Sequence, residues 1–344
     1  MPDLSWTNLG FNPVETNSII VSRFKDGVWS EPQSVNSVEF SINFFAGSLH
    51  YASSCFEGLK AFRGADGKVR IFRPEENADR MTRSADFLAM PSPSKAMFLE
   101  MVARAVKENI EFLPPYGFNA SMYIRPLIFG SSPQLGVATP AEVTFAVMVS
   151  PVGAYVGKTL VPVSAVLVRN YDRAAPNGSG SYKISANYAP SLRPYKIAHE
   201  QGFGEILFLD SSTHSCIDEF GSSNFIGIKD GVYVTPLSSS ILPSITNKSL
   251  RTIAEDLGIK VERRPVSVEE LQDFQEVGAC GTAVVITPIH SITDKPALES
   301  EELTRTYSFG EKDKCGHVLH RMYDVIRGIQ DGTEEDIHNW CMIL

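Results

Sequence analysis

The segment from Pro151 to Pro162 constrains the fold more than any other feature of this sequence. It reads PVGAYVGKTLVP and contains two prolines and two glycines in twelve residues. Proline and glycine at this density interrupt helices and strands alike, so the segment is predicted to separate two domains. A chain of 344 residues is also longer than one hydrophobic core usually organises. We therefore expect a small domain over residues 1–152, a linker over 153–162 and a large domain over 163–344.

Strand-like and helix-like stretches are mixed in both halves of the chain. In the first half, KVRIFR (68–73) alternates like a strand, and apolar residues at helical spacing begin at Phe98. In the second half, EILFLD (205–210) is predicted as a strand, and SLRTIAEDLG (249–258) as a helix that ends at its glycine. Because the elements do not alternate strictly as β-α-β, the pattern argues against a Rossmann fold and predicts an α+β fold.

The charge and the apolar pattern of the chain exclude several classes of partner. The formal net charge is −9 at pH 7, which argues against the broad basic surface of nucleic-acid-binding proteins. The sequence has no apolar run of about 18 residues, the length that a membrane-spanning helix requires. The first residues, MPDLSWTNLGF, lack the basic and apolar segments of a secretory signal. We therefore expect no nucleic-acid partner and no membrane partner.

The cysteines and histidines do not suggest a disulfide or metal framework. Five cysteines are scattered along the chain without a C-x-x-C pair, which is typical of reduced thiols in the cytoplasm. Cys315, His317 and His320 are close in sequence and could suggest a metal site. However, the apolar residues from Val318 to Ile329 recur at helical spacing, so these side chains are interpreted as part of a helix. We predict a cytoplasmic protein without a metal.

The stretch GSGSYKISANYAPSLR, residues 178–193, contains the first candidate catalytic residue. Lys183 follows a glycine turn, and Tyr188 comes five residues later. A lysine that is buried beside small residues loses its proton more readily, and the neutral amine can attack a carbonyl group. Alternatively, Lys183 is an ordinary exposed lysine at the end of a loop, which requires neither burial nor the loss of a proton. From the lysine alone, the exposed position is the favoured interpretation.

Three further signals favour the covalent interpretation. Glu219 follows a predicted strand in CIDEFGSSNF, and SSSILPSITNKSLRTIA places a turn rich in hydroxyl residues directly before a helix. Such a turn offers backbone N–H groups and the positive end of the helix dipole to a phosphate, although Thr246 could simply cap the helix. CGTAVV adds a second glycine turn, with a hydroxyl at Thr282. A lysine, a carboxylate and two anion-binding turns together indicate a pyridoxal 5′-phosphate site.

Nearly the whole chain resembles the branched-chain amino acid aminotransferases, a group within the class IV aminotransferases and the fold-type IV pyridoxal phosphate enzymes. The motifs that carry the resemblance occur in the family's order: CFEGLKAFRG, IFRPEENADRM, YIRP, PVGAY, GSGSYKISANYA, IDEFG, ILPSIT and CGTA. The resemblance implies a two-domain α+β fold, with a small α+β domain and a larger β-barrel-like domain that carries helices. It also implies a homodimer, since a neighbouring subunit contributes loops to the active site in this family.

The resemblance assigns roles around the cofactor, pyridoxal 5′-phosphate. Lys183 matches the lysine that forms the Schiff base and later carries a proton between substrate and cofactor. Glu219 matches the carboxylate that pairs with the pyridine nitrogen, and Tyr188 matches the tyrosine that hydrogen-bonds the phenolic oxygen. Arg80 matches the phosphate-binding arginine. Further cofactor contacts are implied at four positions: Ser222, Ile245, Thr246 and Thr282.

A second set of matches forms the substrate pocket. Four aromatic residues are implied as walls for an apolar side chain: Tyr51, Phe56, Tyr123 and Tyr155. Ordinary core packing is an alternative explanation for each of them. Arg125, in YIRP, matches the residue that binds the distal carboxylate of glutamate. Thr282 and Ala283 match the turn shared by the cofactor phosphate and the substrate carboxylate.

The implied activity is transamination of a branched-chain or similar hydrophobic L-amino acid with 2-oxoglutarate, which gives a 2-oxo acid and L-glutamate. One alternative is another fold-type IV enzyme, such as a D-amino acid or amine transaminase or an aminodeoxychorismate lyase. A transaminase of secondary metabolism and a non-catalytic binding protein are further alternatives. The motifs YIRP and CFEGLKAF favour the first activity, and the complete set of Lys183, Tyr188 and Glu219 argues against a non-catalytic protein.

The phosphate turn departs from the usual family pattern. It reads PSITN, so Ser244 and Asn247 stand where glycine and arginine are common. The cofactor contacts at this turn use backbone groups, which the two replacements retain. Similar departures occur in a fungal branch of the family, so the physiological amino acid stays open.

Overall fold

The computed structural model describes residues 4–153, 160–302 and 305–344, and the chain divides into two compact units. The first unit contains Met1–Tyr155, Tyr182–Ala186 and Gly328–Leu344, and the second contains Val156–Ser181 and Asn187–Arg327. Two segments from the later half of the sequence therefore group with the first unit, whereas the sequence predicts 163–344 as one domain. The pairing of these segments, described below, explains the difference.

The first unit is built on one antiparallel sheet of nine strands. Its strands are β1 (Ile19–Lys25), β2 (Val28–Trp29), β3 (Gln33–Val35), β4 (Ser54–Phe56), β5 (Leu59–Arg63), β6 (Val69–Phe72), β7 (Ser121–Gly130), β8 (Val143–Val152) and β18 (Cys341–Ile343). The main order is β18-β6-β5-β7-β8-β1-β2, with β3 beside β1 and β4 beside β7. Because β18 pairs with β6, the end of the chain belongs to this sheet.

Three helices accompany this sheet: α1 (Gly47–Tyr51), α2 (Pro74–Phe87) and α3 (Lys95–Glu108). Helix α3 begins after Ser94, whose side chain accepts a hydrogen bond from the Met97 N–H at 3.2 Å and so caps the helix. Its apolar face packs against β1, β7 and β8, and Phe98, Met101 and Val102 are buried there. The predicted helical spacing from Phe98 is confirmed, and so is the strand predicted at 68–73.

The second unit is built on a second sheet of nine strands. Its strands are β9 (Val163–Val168), β10 (Glu205–Leu209), β11 (Ile217–Phe220), β12 (Asn224–Lys229), β13 (Val232–Pro236), β14 (Val261–Arg264), β15 (Glu276–Gly281), β16 (Val285–Asp294) and β17 (Arg305–Ser308). The order is β11-β10-β9-β16-β15-β12-β13-β14, with β17 beside β16. Since β11 also pairs with β12, six strands close into a ring, which confirms the expected β-barrel-like domain.

The closed ring encloses an apolar core. Leu207, Phe220, Phe225 and Ile289 belong to one cluster of buried side chains contributed by strands around the ring. The helices of this region are α4 (Leu192–Glu200), α5 (Ile245–Asp256) and α6 (His317–Asp331). Helix α5 ends just before Gly258, whose φ of 73° is the left-handed conformation expected at a helix end. Across the described ranges, no helix combines the length and the apolar character needed to cross a membrane.

Candidate active site

Lys183 is fixed through its backbone. Its N–H donates to Ser84 Oγ of α2 at 2.9 Å, and its carbonyl oxygen accepts from the Phe56 N–H at 3.1 Å. The next residue, Ile184, is buried and forms a β-bridge with Cys55, which places this segment in the first unit. The Lys183 ammonium lies 4.8 Å from the centre of the Phe56 ring. Helix α2 and strand β4 therefore hold the backbone of this lysine, and an aromatic ring lies beside its side chain.

The glycine turn before this lysine is required by close backbone packing in the second unit. A Cβ atom at Gly180 would collide with the backbone oxygen of Ser240. The Asn187 amide donates to the carbonyl oxygen of Ser179 at 2.8 Å and ties the two ends of the segment together. Tyr188 follows directly, at the start of the short 3₁₀ helix Ala189–Ser191. Its role in binding a cofactor stays a prediction.

Arg80 lies in a buried ion pair that the sequence analysis did not predict. Its Nε and Nη2 atoms donate to the two carboxylate oxygens of Glu57, each at 2.7 Å. Glu57 is fully buried and also accepts from Asn77 Nδ2 at 2.7 Å. Two of the three guanidinium nitrogens of Arg80 are thus oriented by one carboxylate. The pairing fixes the direction of the arginine, and its predicted contact with a phosphate stays a prediction.

Three of the predicted pocket residues lie together in the first unit. The Arg125 guanidinium lies 4.7 Å from the centre of the Phe56 ring and 5.2 Å from that of Tyr123. Its Nη2 donates to Tyr123 Oη at 3.0 Å. Among the described residues, the buried Arg125 Nε has no hydrogen-bond partner. A cation with an unused donor, framed by two aromatic rings, is suited to bind an anion next to apolar surface.

Other residues show which side chains belong to the group of Arg125, Phe56 and Tyr123 and which do not. Phe11, which no sequence motif singles out, packs edge-on against Tyr123, with ring centres 5.3 Å apart. A Cβ atom at Gly58 would collide with the Tyr123 hydroxyl, so this glycine allows the ring its position. Tyr51 is 43% exposed, and its hydroxyl donates to the Leu135 carbonyl oxygen rather than to this group. Tyr155 lies outside the described residues.

Glu219 is buried in the second unit with its charge compensated. Its Oε1 accepts from Arg173 Nη2 at 2.5 Å and from the Leu242 N–H at 3.1 Å. Its Oε2 accepts from Asn224 Nδ2 at 2.8 Å. Burial raises the pKa of Glu219, and the charge of Arg173 opposes that rise. Arg173 was absent from the predicted site residues, because the sequence does not show which cation accompanies a buried carboxylate.

The turn before α5 has the geometry of an anion site. Ser244 is the residue that caps the helix, since its side chain accepts from the Asn247 N–H at 3.2 Å. The suggestion that Thr246 caps the helix is therefore wrong, because Thr246 lies inside the first turn. Ile245 and Thr246 contribute two of the first backbone N–H groups of the helix, which have no intrahelical partner. These groups are the predicted phosphate donors.

The remaining predicted contacts lie in two loops of the second unit. Thr282 and Ala283 fall in the short connection between β15 and β16, which Gly281 and Val285 close by pairing. Val285 has φ 70°, an unusual backbone conformation for a β-branched residue. Ser222 is exposed and follows β11. The roles of these residues in binding cofactor and substrate stay predictions.

A metal site finds no support in the part of the chain that the structure describes. Within those ranges, no group of three or more His, Cys, Asp or Glu side chains is arranged to hold a metal ion. His317 and His320, which raised the metal alternative, lie on helix α6.

The chain is similar to known proteins along almost its whole length. The family model "Amino-transferase class IV" matches residues 54–292. A branched-chain-amino-acid aminotransferase of Haemophilus influenzae is 42% identical, with 99% of each chain covered. The aminotransferase poxL of Penicillium oxalicum is 40% identical over 99% of this chain and 93% of its own.

The chain is also similar to solved structures of branched-chain aminotransferases along almost its whole length. The branched-chain amino acid aminotransferase of Escherichia coli superposes with a TM-score of 0.79. It is 29% identical in sequence, and the alignment covers 95% of this chain and 98% of that one. The branched-chain aminotransferase of the archaeon Thermoproteus uzoniensis, in a structure with norvaline, superposes with a TM-score of 0.76. It is 25% identical, with 95% of this chain and 99% of that one covered.

Proposed function

The chain belongs to the class IV aminotransferases, and we propose on that basis that it transfers the amino group of a branched-chain L-amino acid to 2-oxoglutarate. The products are the branched-chain 2-oxo acid and L-glutamate. The observation that carries this choice of substrates is the arrangement around Arg125. One group of side chains there offers both aromatic surface and a cation with an unused, buried N–H.

Enzymes of this class use pyridoxal 5′-phosphate, which accepts the electron pair left on the substrate α-carbon when a proton is removed. This chain has residues suited to bind both the ring nitrogen and the phosphate of pyridoxal 5′-phosphate. Glu219 is a buried carboxylate whose ionised form is favoured by the Arg173 guanidinium, and a protonated ring nitrogen requires an ionised partner. Helix α5 offers backbone N–H groups at its N-terminus, as a phosphate requires.

We assign each residue of the proposed site a role in binding the cofactor or in proton transfer. The proposed holders of the group are Lys183, Arg80, Tyr188, Glu219, Ser222, Ile245, Thr246 and Thr282. Lys183 Nζ is proposed to bind the cofactor covalently and to move the proton of the substrate α-carbon. Glu219 is proposed to hold the proton on the ring nitrogen. Burial raises the pKa of Glu219, and the charge of Arg173 opposes that rise and so favours the ionised form that this role requires. Glu57 orients Arg80 toward its ligand by occupying two of its nitrogens.

Substrate selection is proposed to use two kinds of contact. Phe56 and Tyr123 provide apolar surface for a branched side chain, and Arg125 receives the distal carboxylate of glutamate. A buried carboxylate without a cation is costly, so the arginine permits one site to accept both substrates in turn. Ala283 and Thr282 are proposed to bind the substrate's α-carboxylate, with Tyr51 and Tyr155 as further pocket walls.

A homodimer in the cytoplasm is proposed as the working state. Five apolar residues form an exposed patch on the first unit: Phe44, Phe45, Leu49, Leu135 and Val137. Phe44, Phe45 and Leu49 lie just before and within α1, and the Ala46–Pro133 bridge joins this segment to the loop that carries Leu135 and Val137. Exposed apolar patches commonly mark interfaces between proteins. All five cysteines are free thiols, which supports a reducing compartment.

The test is a panel of amino donors with 2-oxoglutarate. L-leucine, L-isoleucine and L-valine are expected to yield L-glutamate, whereas D-alanine and simple amines yield none. Aminodeoxychorismate, offered without 2-oxoglutarate, tests the lyase alternative. Strong activity with D-alanine or with aminodeoxychorismate, and none with the three branched L-amino acids, would refute the proposal.

A further inference from the structure

Asn247 lies in the interior of the second unit, at a position where the phosphate turn departs from its usual pattern. The residue is 7% exposed. Its Oδ1 accepts from Tyr233 Oη at 2.9 Å, and its Nδ2 donates to Asn224 Oδ1 at 3.1 Å and to Thr235 Oγ1 at 2.9 Å. The amide oxygen and both amide hydrogens are therefore used inside the protein.

The hydrogen bonds continue from Asn224 to Glu219. Asn224 is 4% exposed, and its Nδ2 donates to Glu219 Oε2 at 2.8 Å and to the Leu242 carbonyl oxygen at 3.1 Å. An ionised carboxylate only accepts hydrogen bonds, so the Asn224 amide must turn its NH₂ group toward Glu219. Its oxygen then faces Asn247, which must turn its own NH₂ group toward Asn224.

The same argument fixes the far end of this chain of hydrogen bonds. With its NH₂ group committed, Asn247 presents its oxygen to Tyr233, whose hydroxyl is therefore the donor. Tyr233 is fully buried, and burial raises its pKa well above the ordinary value, so the hydroxyl keeps its proton. Tyr233, Asn247 and Asn224 thus all donate in one direction, which ends at Glu219. Hydrogen bonds aligned in this way strengthen one another in a low-dielectric interior.

We propose that Asn247 and Asn224 are positioning residues for Glu219, acting through this directional relay of hydrogen bonds from Tyr233 Oη. The inference rests on the proposed role of Glu219 as the partner of the cofactor's ring nitrogen. Arg173 and the Leu242 N–H hold one carboxylate oxygen, and the relay holds the other. The relay therefore fixes the rotation of the carboxylate, which the contacts at a single oxygen do not.

A further charge besides Arg173 acts on this carboxylate: the Asp218 charge adds to burial in raising the pKa of Glu219. Burial, and after it the charge of Glu219, raises the pKa of the nearby Cys280 thiol, so the thiol stays protonated. The relay opposes the rise in the pKa of Glu219 by donating to its anionic form. Loss of the relay is expected to raise this pKa further, so that the proton shared with the ring nitrogen lies more on the carboxylate.

The experiment compares Asn247→Leu with Thr235→Val in enzyme loaded with ¹⁵N-labelled pyridoxal 5′-phosphate. Thr235 is equally buried and also accepts from Asn247, but its hydroxyl lies off the line to Glu219. The ¹⁵N chemical shift of the ring nitrogen is expected to move toward the unprotonated value in Asn247→Leu and to stay in place in Thr235→Val. In Asn247→Leu, kcat is expected to fall roughly tenfold, the order of magnitude expected when one buried hydrogen bond of the relay is lost. KM for L-leucine is expected to change by less than about twofold.

Tyr233→Phe provides a second variant with little change in shape, and it decides the question if Asn247→Leu does not fold. It is expected to move the ¹⁵N shift in the same direction by a smaller amount. An unchanged shift in both variants would overturn the relay. Glu219→Gln distinguishes the proposed role of Glu219 from the proposed role of the relay. If Glu219→Gln moves the ¹⁵N shift and the relay variants do not, only the proposal about the relay is refuted. If Glu219→Gln also leaves the shift unchanged, the proposed role of Glu219 fails first.

Discussion

At the scale of single residues, Lys183 is the clearest test, because its backbone contacts and its chemistry are separate. The N–H and the carbonyl oxygen carry the hydrogen bonds that place it, so Lys183→Ala is expected to keep the fold. The same variant is expected to lose the visible absorbance of the covalently bound cofactor. Its transamination rate is expected to fall by a factor of about 10³ or more. Absorbance spectra and a coupled glutamate assay measure the two effects.

Lys295 provides the matched control for this prediction. It is also a buried lysine, and its Nζ donates to Gln201 Oε1 at 2.6 Å in the second unit. Lys295→Ala is expected to keep the absorbance. If borohydride still fixes the cofactor to the Lys183→Ala protein, a different lysine forms the bond and the assignment is wrong.

Arg125 is expected to separate the two half-reactions. Arg125→Met retains an unbranched side chain between Phe56 and Tyr123 but removes the cation. The half-reactions with L-glutamate and 2-oxoglutarate are expected to slow by about 2 kcal/mol more than the half-reaction with L-leucine. Single-turnover absorbance of the cofactor follows each one separately. Equal losses in both would mean that the arginine is structural and that glutamate is recognised elsewhere.

Glu205 is expected to control part of the pH dependence of stability. It is partly buried, its Oε2 accepts from Tyr195 Oη at 2.9 Å, and burial raises its pKa from 4.5 to about 7. The folded state therefore binds more protons than the unfolded state between these values, and stability falls as the pH rises through that window. The total loss is about 3 kcal/mol.

Glu205→Gln removes this titration while an acceptor for Tyr195 remains. Urea unfolding is expected to find the variant more stable than the parent at pH 8, with a much smaller difference at pH 5. Glu200→Gln, which changes an exposed carboxylate on α4, serves as the control. A difference between parent and Glu205→Gln that does not depend on pH would refute this role of Glu205.

The long-range partners of the site could not be predicted from the sequence. Lys183 and Glu219 were singled out because each lies in a local motif with a recognisable turn or strand. Glu57 and Arg173, which hold Arg80 and Glu219, are 23 and 46 residues away from them in the sequence. Such residues meet only in the folded chain, and no local spacing records their pairing.

At the scale of elements, the N-terminus of α5 is a further place where spacing alone is ambiguous. Both Ser244 and Thr246 are good capping residues, and the structure assigns the cap to Ser244. Ser244→Ala is expected to lower the free energy of unfolding by about 1 kcal/mol, whereas Ser244→Gly, the residue common in this turn, costs only about 0.3 kcal/mol. Urea denaturation measures both. Equal losses in the two variants would show that the hydroxyl does not cap the helix.

At the scale of the whole molecule, the sequence predicted the class of fold but not its closure. The alternation of strands and the absence of a strict β-α-β order indicated an α+β protein, and the resemblance implied the barrel. The ring that β11 and β12 close also depends on parallel pairing of β9 with β10 and with β16, and β16 is far from β9 in sequence. The pairing of β18 with β6 likewise joins the end of the chain to the first sheet, which no composition change near residue 328 indicates.

The exposed patch on the first unit carries the last prediction, which concerns assembly. Leu135 and Val137 are 77% and 85% exposed, so their side chains bury little surface within their own chain. Apolar side chains this exposed are disfavoured in water, and a two-fold axis would bury the patch against its own copy. The parent protein is expected to sediment at twice the chain mass of 37.8 kDa. Leu135→Asp combined with Val137→Asp is expected to weaken the dimer by at least about 2 kcal/mol, because two charges would be buried without partners.

Ile337→Asp is the control for this prediction, since Ile337 is also an exposed apolar residue of the first unit, at 62%, but lies outside the patch. It is expected to leave the sedimentation unchanged. The resemblance implies an active site that takes loops from a neighbouring subunit, so the double variant is also expected to lose transamination as it is diluted, whereas the control variant retains it. A parent protein that is monomeric at all concentrations, with full activity, would show that the patch serves another purpose.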